Sequence, residues 1–274
     1  MADAGKPTDW IKMKIDPEIF EELGVRDPEE TKREMAITKK TRQINKELKA
    51  DPNNLDLQLE LATLMIDGAN YEDAIKMLMA IRNKRPKDAK VYKLLGTAYV
   101  LFNHEEEAML EMNRACELDP SDAENHFNLG GLYLLRDMYS NAATSFEKVI
   151  ELDPTDTTAY ANLAAAYDML KLYDKEIVAL KKVLMFNPED KELRAALSNA
   201  YFHAERYEEA IDAALCVVDI DDKDTQAYCN LGSCYSVTSM IDDAIKAFKT
   251  ASELAPDYSL PHTNLGTLYA NMGR

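Results

Sequence analysis

The chain has 274 residues, 46% hydrophobic and 30% charged, the balance of a folded protein rather than a disordered one. Its net charge of −17 repels phosphate backbones and argues against general nucleic-acid binding. That charge reads either as a preference for basic partners or as an acidic surface that keeps the chain in solution. No apolar run approaches the roughly 18 residues that span a bilayer. The N-terminus lacks the apolar core of a secretory signal, so a cytoplasmic location is expected.

Residues 1–50 hold eleven Lys/Arg against eleven Asp/Glu, so the whole imbalance lies downstream. Asp16-Pro17-Glu18 predicts a helix cap and first turn, with Gly24 closing a short helix. Asp27-Pro28-Glu29-Glu30 starts a longer helix running to about Ala50, with Ile37, Ile44 and Leu48 on one stripe. Residues 1–54 are therefore expected to form an N-terminal segment whose helix, about 28–50, caps the remainder of the chain. Alternatively, residues 1–25, with Trp10, Ile11, Ile15, Ile19 and Phe20, dock elsewhere on the chain or on a partner.

From residue 52 onward a ruler appears. Pro52, Pro86, Pro120, Pro154, Pro188 and Pro256 share one 34-residue grid, and Asp222 fills the remaining slot. The units are 55–88, 89–122, 123–156, 157–190, 191–224 and 225–258, with a seventh begun at 259–274. Other positions then align unaided. The seventh is Leu61, Leu95, Leu129, Leu163, Leu197, Leu231 and Leu265. The eighth is always small: Ala62, Gly96, Gly130, Ala164, Ser198, Gly232 and Gly266. The eleventh is Met65 and then Tyr99, Tyr133, Tyr167, Tyr201, Tyr235 and Tyr269, and the twentieth is Ala74, Ala108, Ala142, Glu176, Ala210 and Ala244. A small residue on one helix opposite alanine on the next lets two backbones approach, while the proline ends the second helix.

This pattern resembles the tetratricopeptide repeat over residues 55–274. The resemblance implies an all-α fold, a right-handed superhelical solenoid of antiparallel helix pairs, in which stability comes from stacking neighbours. It also implies a non-catalytic scaffold or adaptor that binds another protein, as an extended peptide or a helix, in a concave groove lined by each first helix.

Three departures stand out. The fourth position, where the family has an indole, holds Gln58, Tyr92, His126, Tyr160, Arg194, Tyr228 and His262. Glu176 replaces the alanine of closest approach, where a lone carboxylate is costly; it is expected to reach solvent or pair with Lys175 or Arg194. Asp222 in a proline slot predicts a longer, less sharply ended helix. The last helix, about Leu260–Met272, carries Leu265, Gly266 and Tyr269 shaped to receive a further helix. Either the sequence is part of a longer protein or a second subunit covers this end.

No catalytic motif, cofactor loop or metal-ligand spacing is present, and Cys116, Cys216, Cys229 and Cys234 form no CxxC pair. Carried over by position, the family's groove would contain Phe127, Asn128, Leu134 and Leu135, then Ala161, Asn162, Ala165 and Met169. Asn199, Phe202 and His203 would come next, and then Cys229, Asn230, Ser233 and Asn264. The asparagines suit an extended peptide, since each carboxamide both gives and accepts a hydrogen bond with a backbone amide. The carboxylate clamp of chaperone-binding relatives is not reproduced: Lys93 and Asn128 match, but Thr97, Thr158 and Asn162 occupy its other slots. A self-assembling structural scaffold (a homo-oligomer) and a targeting arm of a larger enzyme are the alternative readings.

Overall fold

The computed structural model describes residues 28–272, with side chains from residue 32 onward. The short helix expected after Asp16-Pro17-Glu18 and the docking of Trp10, Ile11, Ile15, Ile19 and Phe20 lie outside the described residues. Among the described residues there are fourteen helices and no strand, so the fold is an all-α solenoid of helix hairpins. The helices fall into two compact units, divided between His104 and Glu105.

The first unit contains α1 (Pro28–Ala50), α2 (Leu55–Asp67), α3 (Tyr71–Lys84) and α4 (Ala89–Leu101). Ile44 of α1 is buried against Leu61 and Leu64 of α2, with Ile37 and Leu48 flanking it. Leu78 and Ile81 of α3 pack with Ala62 of α2 and with Val91 and Leu95 of α4. The second unit contains α5 (Glu105–Leu118), α6 (Ala123–Leu135), α7 (Tyr139–Leu152), α8 (Thr157–Met169) and α9 (Tyr173–Leu184). It continues with α10 (Lys191–His203), α11 (Tyr207–Ile220), α12 (Thr225–Val237), α13 (Ile241–Leu254) and α14 (Ser259–Asn271).

Two local devices recur on the grid. Asn54, Asp88, Asp122, Asp156, Asp190 and Asp224 each cap the next helix, their side-chain oxygens accepting from backbone N–H groups of its first turn. At five of the seven fourth positions a polar side chain reaches back to a proline carbonyl. Gln58 donates to Pro52 (2.7 Å), Tyr92 to Pro86 (3.1 Å) and Arg194 to Pro188 (2.7 Å). His126 and His262 hold Pro120 and Pro256 through Nε2 at 3.2 and 2.9 Å. The slot selects a donor at that reach, which histidine supplies as well as tyrosine or arginine.

The turn inside each hairpin is also fixed. Its third residue adopts a left-handed conformation at Ala69, Asn103, Asp137, Lys171, Glu205 and Ser239. In the second unit, Met138, Leu172, Arg206 and Met240 then donate their N–H back to the carbonyls of Tyr133, Tyr167, Tyr201 and Tyr235. This is the Schellman closure of a helix, made here without glycine.

Packing inside the hairpins turns on the eighth position. A Cβ on Gly130 would lie 2.9 Å from the ring of Phe146, and one on Gly232 would lie 2.6 Å from the ring of Phe248. Both rings are buried. Ala164 faces the smaller Leu180 in the same core, and Ser198 donates to the carbonyl of Ala210 at 2.9 Å. Tyrosines at the eleventh position tie neighbouring repeats: Tyr133 donates to Asn113 at 3.1 Å, and Tyr167 to Glu147.

Three features depart from expectation or escape it. Glu176 neither reaches solvent nor pairs with Lys175 or Arg194. It is 5% exposed, and its Oε2 has no hydrogen-bond partner among the described residues. Lys175 sits instead near Glu147 and over the Tyr167 ring, and Arg194 is held by Pro188. Asp222 does not lengthen its helix: α11 ends at Ile220 with 14 residues, the length of α13. Asn125, at 2% exposure, has neither amide atom hydrogen-bonded, a polar cost that no repeat position foretells.

Packing and burial make two outcomes measurable. Gly232→Ala, forcing a methyl into the Phe248 ring, will destabilise the second unit by ~1–3 kcal/mol. Gly266→Ala, where nothing lies within 4 Å, will stabilise α14 by up to ~1 kcal/mol through helix propensity. Urea unfolding midpoints of the two variants will move in opposite directions. For Glu176, burial first and Asp168 second push the carboxyl up to about 8 from its ordinary 4.5. A raised carboxyl pKa favours the folded state fully below pH 4.5 and progressively less as pH climbs towards 8. Glu176→Ala, which restores the residue of the other repeats, will therefore stabilise the protein more at about pH 8 than at about pH 5, by at least ~1 kcal/mol. Equal gains at both pH values would contradict this.

Candidate partner-binding face

The groove residues carried over from the repeat pattern all lie in the second unit, on α6, α8, α10, α12 and α14. Asn128 on α6 and Asn162 on α8 are half-buried, and their carboxamides make no hydrogen bond among the described residues. Small residues surround them in sequence. Gly131 has open space where a Cβ would stand, Ala161 is half-buried and Ala165 is exposed. An incoming backbone can therefore approach these two carboxamides closely.

Further along, the carboxamides satisfy one another. Asn230 donates to Asn199 at 2.7 Å, Gln226 donates to Asn230 at 3.0 Å, and the Tyr258 hydroxyl donates to Gln226 at 3.0 Å. Asn199 thus bridges to Asn230 from the ninth position where Ala196 interrupts the sixth. Gln226 stands at the second position of its repeat, which the repeat pattern also turns to the groove, four residues before Asn230, the spacing of adjacent helical turns; Tyr258 closes the same repeat and lies outside the groove positions. A peptide binding here would have to displace amide–amide bonds that α6 and α8 do not make. Asn264 lies on α14, half-buried.

Several expected groove residues serve packing. Cys229 is 1% exposed and is removed from the set of side chains a ligand can touch. Ser233 donates to the Cys229 carbonyl within its own helix at 2.9 Å. Phe127 is half-buried with its ring edge-on to Phe146 at 5.6 Å, and Leu134 packs on the same core. Phe202 packs against the core around Leu197 and Tyr201. Leu135 and Met169 remain exposed, each closing its helix, and His203, which ends α10, stacks on Tyr173 at 5.1 Å.

The electrostatics of the face are those of its unit. Of 32 basic and 49 acidic residues in the chain, residues 105–274 hold 14 and 31, the whole of the −17. The cysteines are all free thiols. Burial pushes Cys116, Cys229 and Cys234 up to about 11, so they stay protonated and unreactive at neutral pH. Among the described residues no cluster of three or more His, Cys, Asp or Glu could hold a metal. No helix among them is long and apolar enough to cross a membrane.

No curated protein matches the chain. Among solved structures, YrrB, described as a TPR protein with an unusual peptide-binding site, aligns with a TM-score of 0.60 at 22% identity over 68% of this chain and 96% of its own. The C-terminal part of a TPR repeat-containing protein from Cytophaga hutchinsonii aligns with a TM-score of 0.64 at 18% identity, covering 86% and 98%. MamA from Desulfovibrio magneticus RS-1 aligns with a TM-score of 0.52 at 24% identity, covering 61% and 92%. At these identities the likeness is one of fold. Three family models, each described as tetratricopeptide repeat, match residues 45–98, 145–177, and 89–122 with 123–156 and 225–258. Together these segments span 45–177 and 225–258, more than half of the chain, which belongs to the tetratricopeptide repeat family.

Proposed function

We propose that the second unit holds an extended segment of a partner protein along the exposed face of α6 and α8, with Asn128 and Asn162 bonding the partner's backbone. The tetratricopeptide repeat is an interaction module, and a protein-interaction scaffold is the role its presence supports. The observation that carries the finer reading is the pair of unsatisfied carboxamides beside Gly131, Ala161 and Ala165. Two groups that give and accept, one repeat apart and flanked by small side chains, match the donors and acceptors of an extended main chain. The peptide-binding site for which YrrB is described is consistent with such a use of the fold. The charge of the second unit favours a basic partner, whose approach it would accelerate.

The test is a comparison of captured proteins. Asn128→Ala with Asn162→Ala removes the carboxamides and leaves small side chains on half-exposed helix positions, so helicity will be unchanged. Partners captured from lysate by the wild type will fall at least ~10-fold on the double variant, the loss of two hydrogen bonds of roughly 1 kcal/mol each. Asn199→Ala with Asn230→Ala, where the carboxamides already bond each other, will weaken capture less. An unchanged partner set with the first pair would sink the proposal.

A further inference from the structure

The same unit carries a further feature at the turns inside its hairpins, where the groove-lining helices end. The helix-closing residues Leu135, Met169 and Val237 and the residues three further on, Met138, Leu172 and Met240, are all between 40% and 54% exposed. Each pair brackets the same turn: a left-handed residue at Asp137, Lys171 or Ser239, closed by the N–H of the second member of the pair. One repeated backbone geometry therefore presents two large apolar side chains to solvent in the same way three times.

Folding does not require them. The second slot is filled by Asn70 in the first unit and by Arg206 in the hairpin of α10 and α11, so polar residues are accommodated there. None of Met138, Leu172 and Met240 makes a side-chain cap bond to the helix it begins. Exposed apolar side chains repeated in register are the mark of a contact surface, and methionine is the side chain that adapts to varied partners. The one interruption, His203 and Arg206, is not a free cationic barrier. His203 stacks on Tyr173, and Arg206 lies over the Tyr201 ring while bonded to Glu209 at 2.6 Å.

Charge says what covers the surface. Asp137, Asp174, Asp242 and Asp243 stand in these turns and the first turns beyond them, all exposed. Lys171 and Lys175 are outnumbered, and Arg136 is engaged by Glu105 and Glu106. With 14 basic against 31 acidic residues, the unit repels both a second copy of itself and an anionic membrane. We infer that the row of hairpin turns is a docking surface for a basic amphipathic segment of a partner protein, its apolar side chains seated on the Leu135–Met138, Met169–Leu172 and Val237–Met240 pairs. This surface adjoins the Asn128 and Asn162 carboxamides, since Leu135 and Met169 stand seven residues further along the same helices and are themselves groove positions, but it does not use those carboxamides.

The test uses the full chain and synthetic peptides of about 18 residues, five helical turns. One peptide segregates leucine and lysine on opposite helix faces, a second scrambles the same composition, and a third replaces lysine with glutamate. Fluorescence anisotropy at physiological ionic strength reads binding. The amphipathic lysine peptide will bind at least tenfold more tightly than the other two. The triple variant Met138→Ser, Leu172→Ser, Met240→Ser, which keeps every charge, will lose at least tenfold of that affinity with its melting temperature unchanged. Asn128→Ala with Asn162→Ala will leave it intact, which distinguishes apolar docking at the turns from backbone bonding at the carboxamides. No binding by the amphipathic peptide, equal binding by the scrambled or glutamate peptide, or full binding by the serine variant would each overturn the inference.

Discussion

Every hairpin in the second unit depends on how closely its two helices approach at one point, and side-chain volume across that point sets the approach. Where the first helix offers Gly130 or Gly232, the second inserts Phe146 or Phe248, with no room left for a methyl. Where it offers Ala164, the partner shrinks to Leu180, and at Ser198 the hydroxyl bonds the Ala210 carbonyl across the gap. Glycine with phenylalanine and alanine with leucine fill a similar volume, divided differently between the two helices, as close packing demands. Because the cores lie within and between hairpins, burial leaves the outward faces of the first helices and the turns free to carry other chemistry.

Much of this is legible in the sequence. A small residue at every eighth position, leucine just before it and proline in six of the seven 34-residue grid slots specify paired helices and their stacking, and the grid alone yields the all-α solenoid. Other recurrences share the same register: the Asx caps from Asn54 to Asp224, and the donors Gln58, Tyr92, His126, Arg194 and His262 that reach back to proline. What the grid cannot show is what happens where a residue breaks pattern. Elementary electrostatics sends Glu176 to solvent or to a cation, yet the helices close over it, because its neighbours fix the backbone spacing and one side chain cannot reopen it. The missing proline at Asp222 predicts a longer α11, yet the helix ends at Ile220 without one, its last turn closed by the Asp221 N–H on the Val217 carbonyl.

The binding face is legible in position but not in state. Placing residues in a groove by register cannot distinguish a side chain that meets solvent from one that rotates into the core, which is why Cys229 is buried and Phe127 and Phe202 are structural. Nor can it reveal pairing between carboxamides of successive repeats. Asn199, Asn230, Gln226 and Tyr258 satisfy one another, whereas Asn128 and Asn162 do not, and that difference singles out α6 and α8. The resulting division of labour is physical: unsatisfied amides suit a main chain, and exposed apolar turns suit side chains. The acidic field of the second unit attracts basic partners to either surface.

The most direct measurement of the central claim, that a partner segment runs along α6 and α8, is site-specific photo-crosslinking from a benzophenone amino acid. Placed at Ala165, exposed on α8 beside Asn162, it will cross-link a partner peptide whose site of attachment can be mapped by mass spectrometry. Placed at Val178, exposed on α9 of the same repeat, it will give little or none of that product. Cross-links from position 178 with none from position 165 would contradict the account.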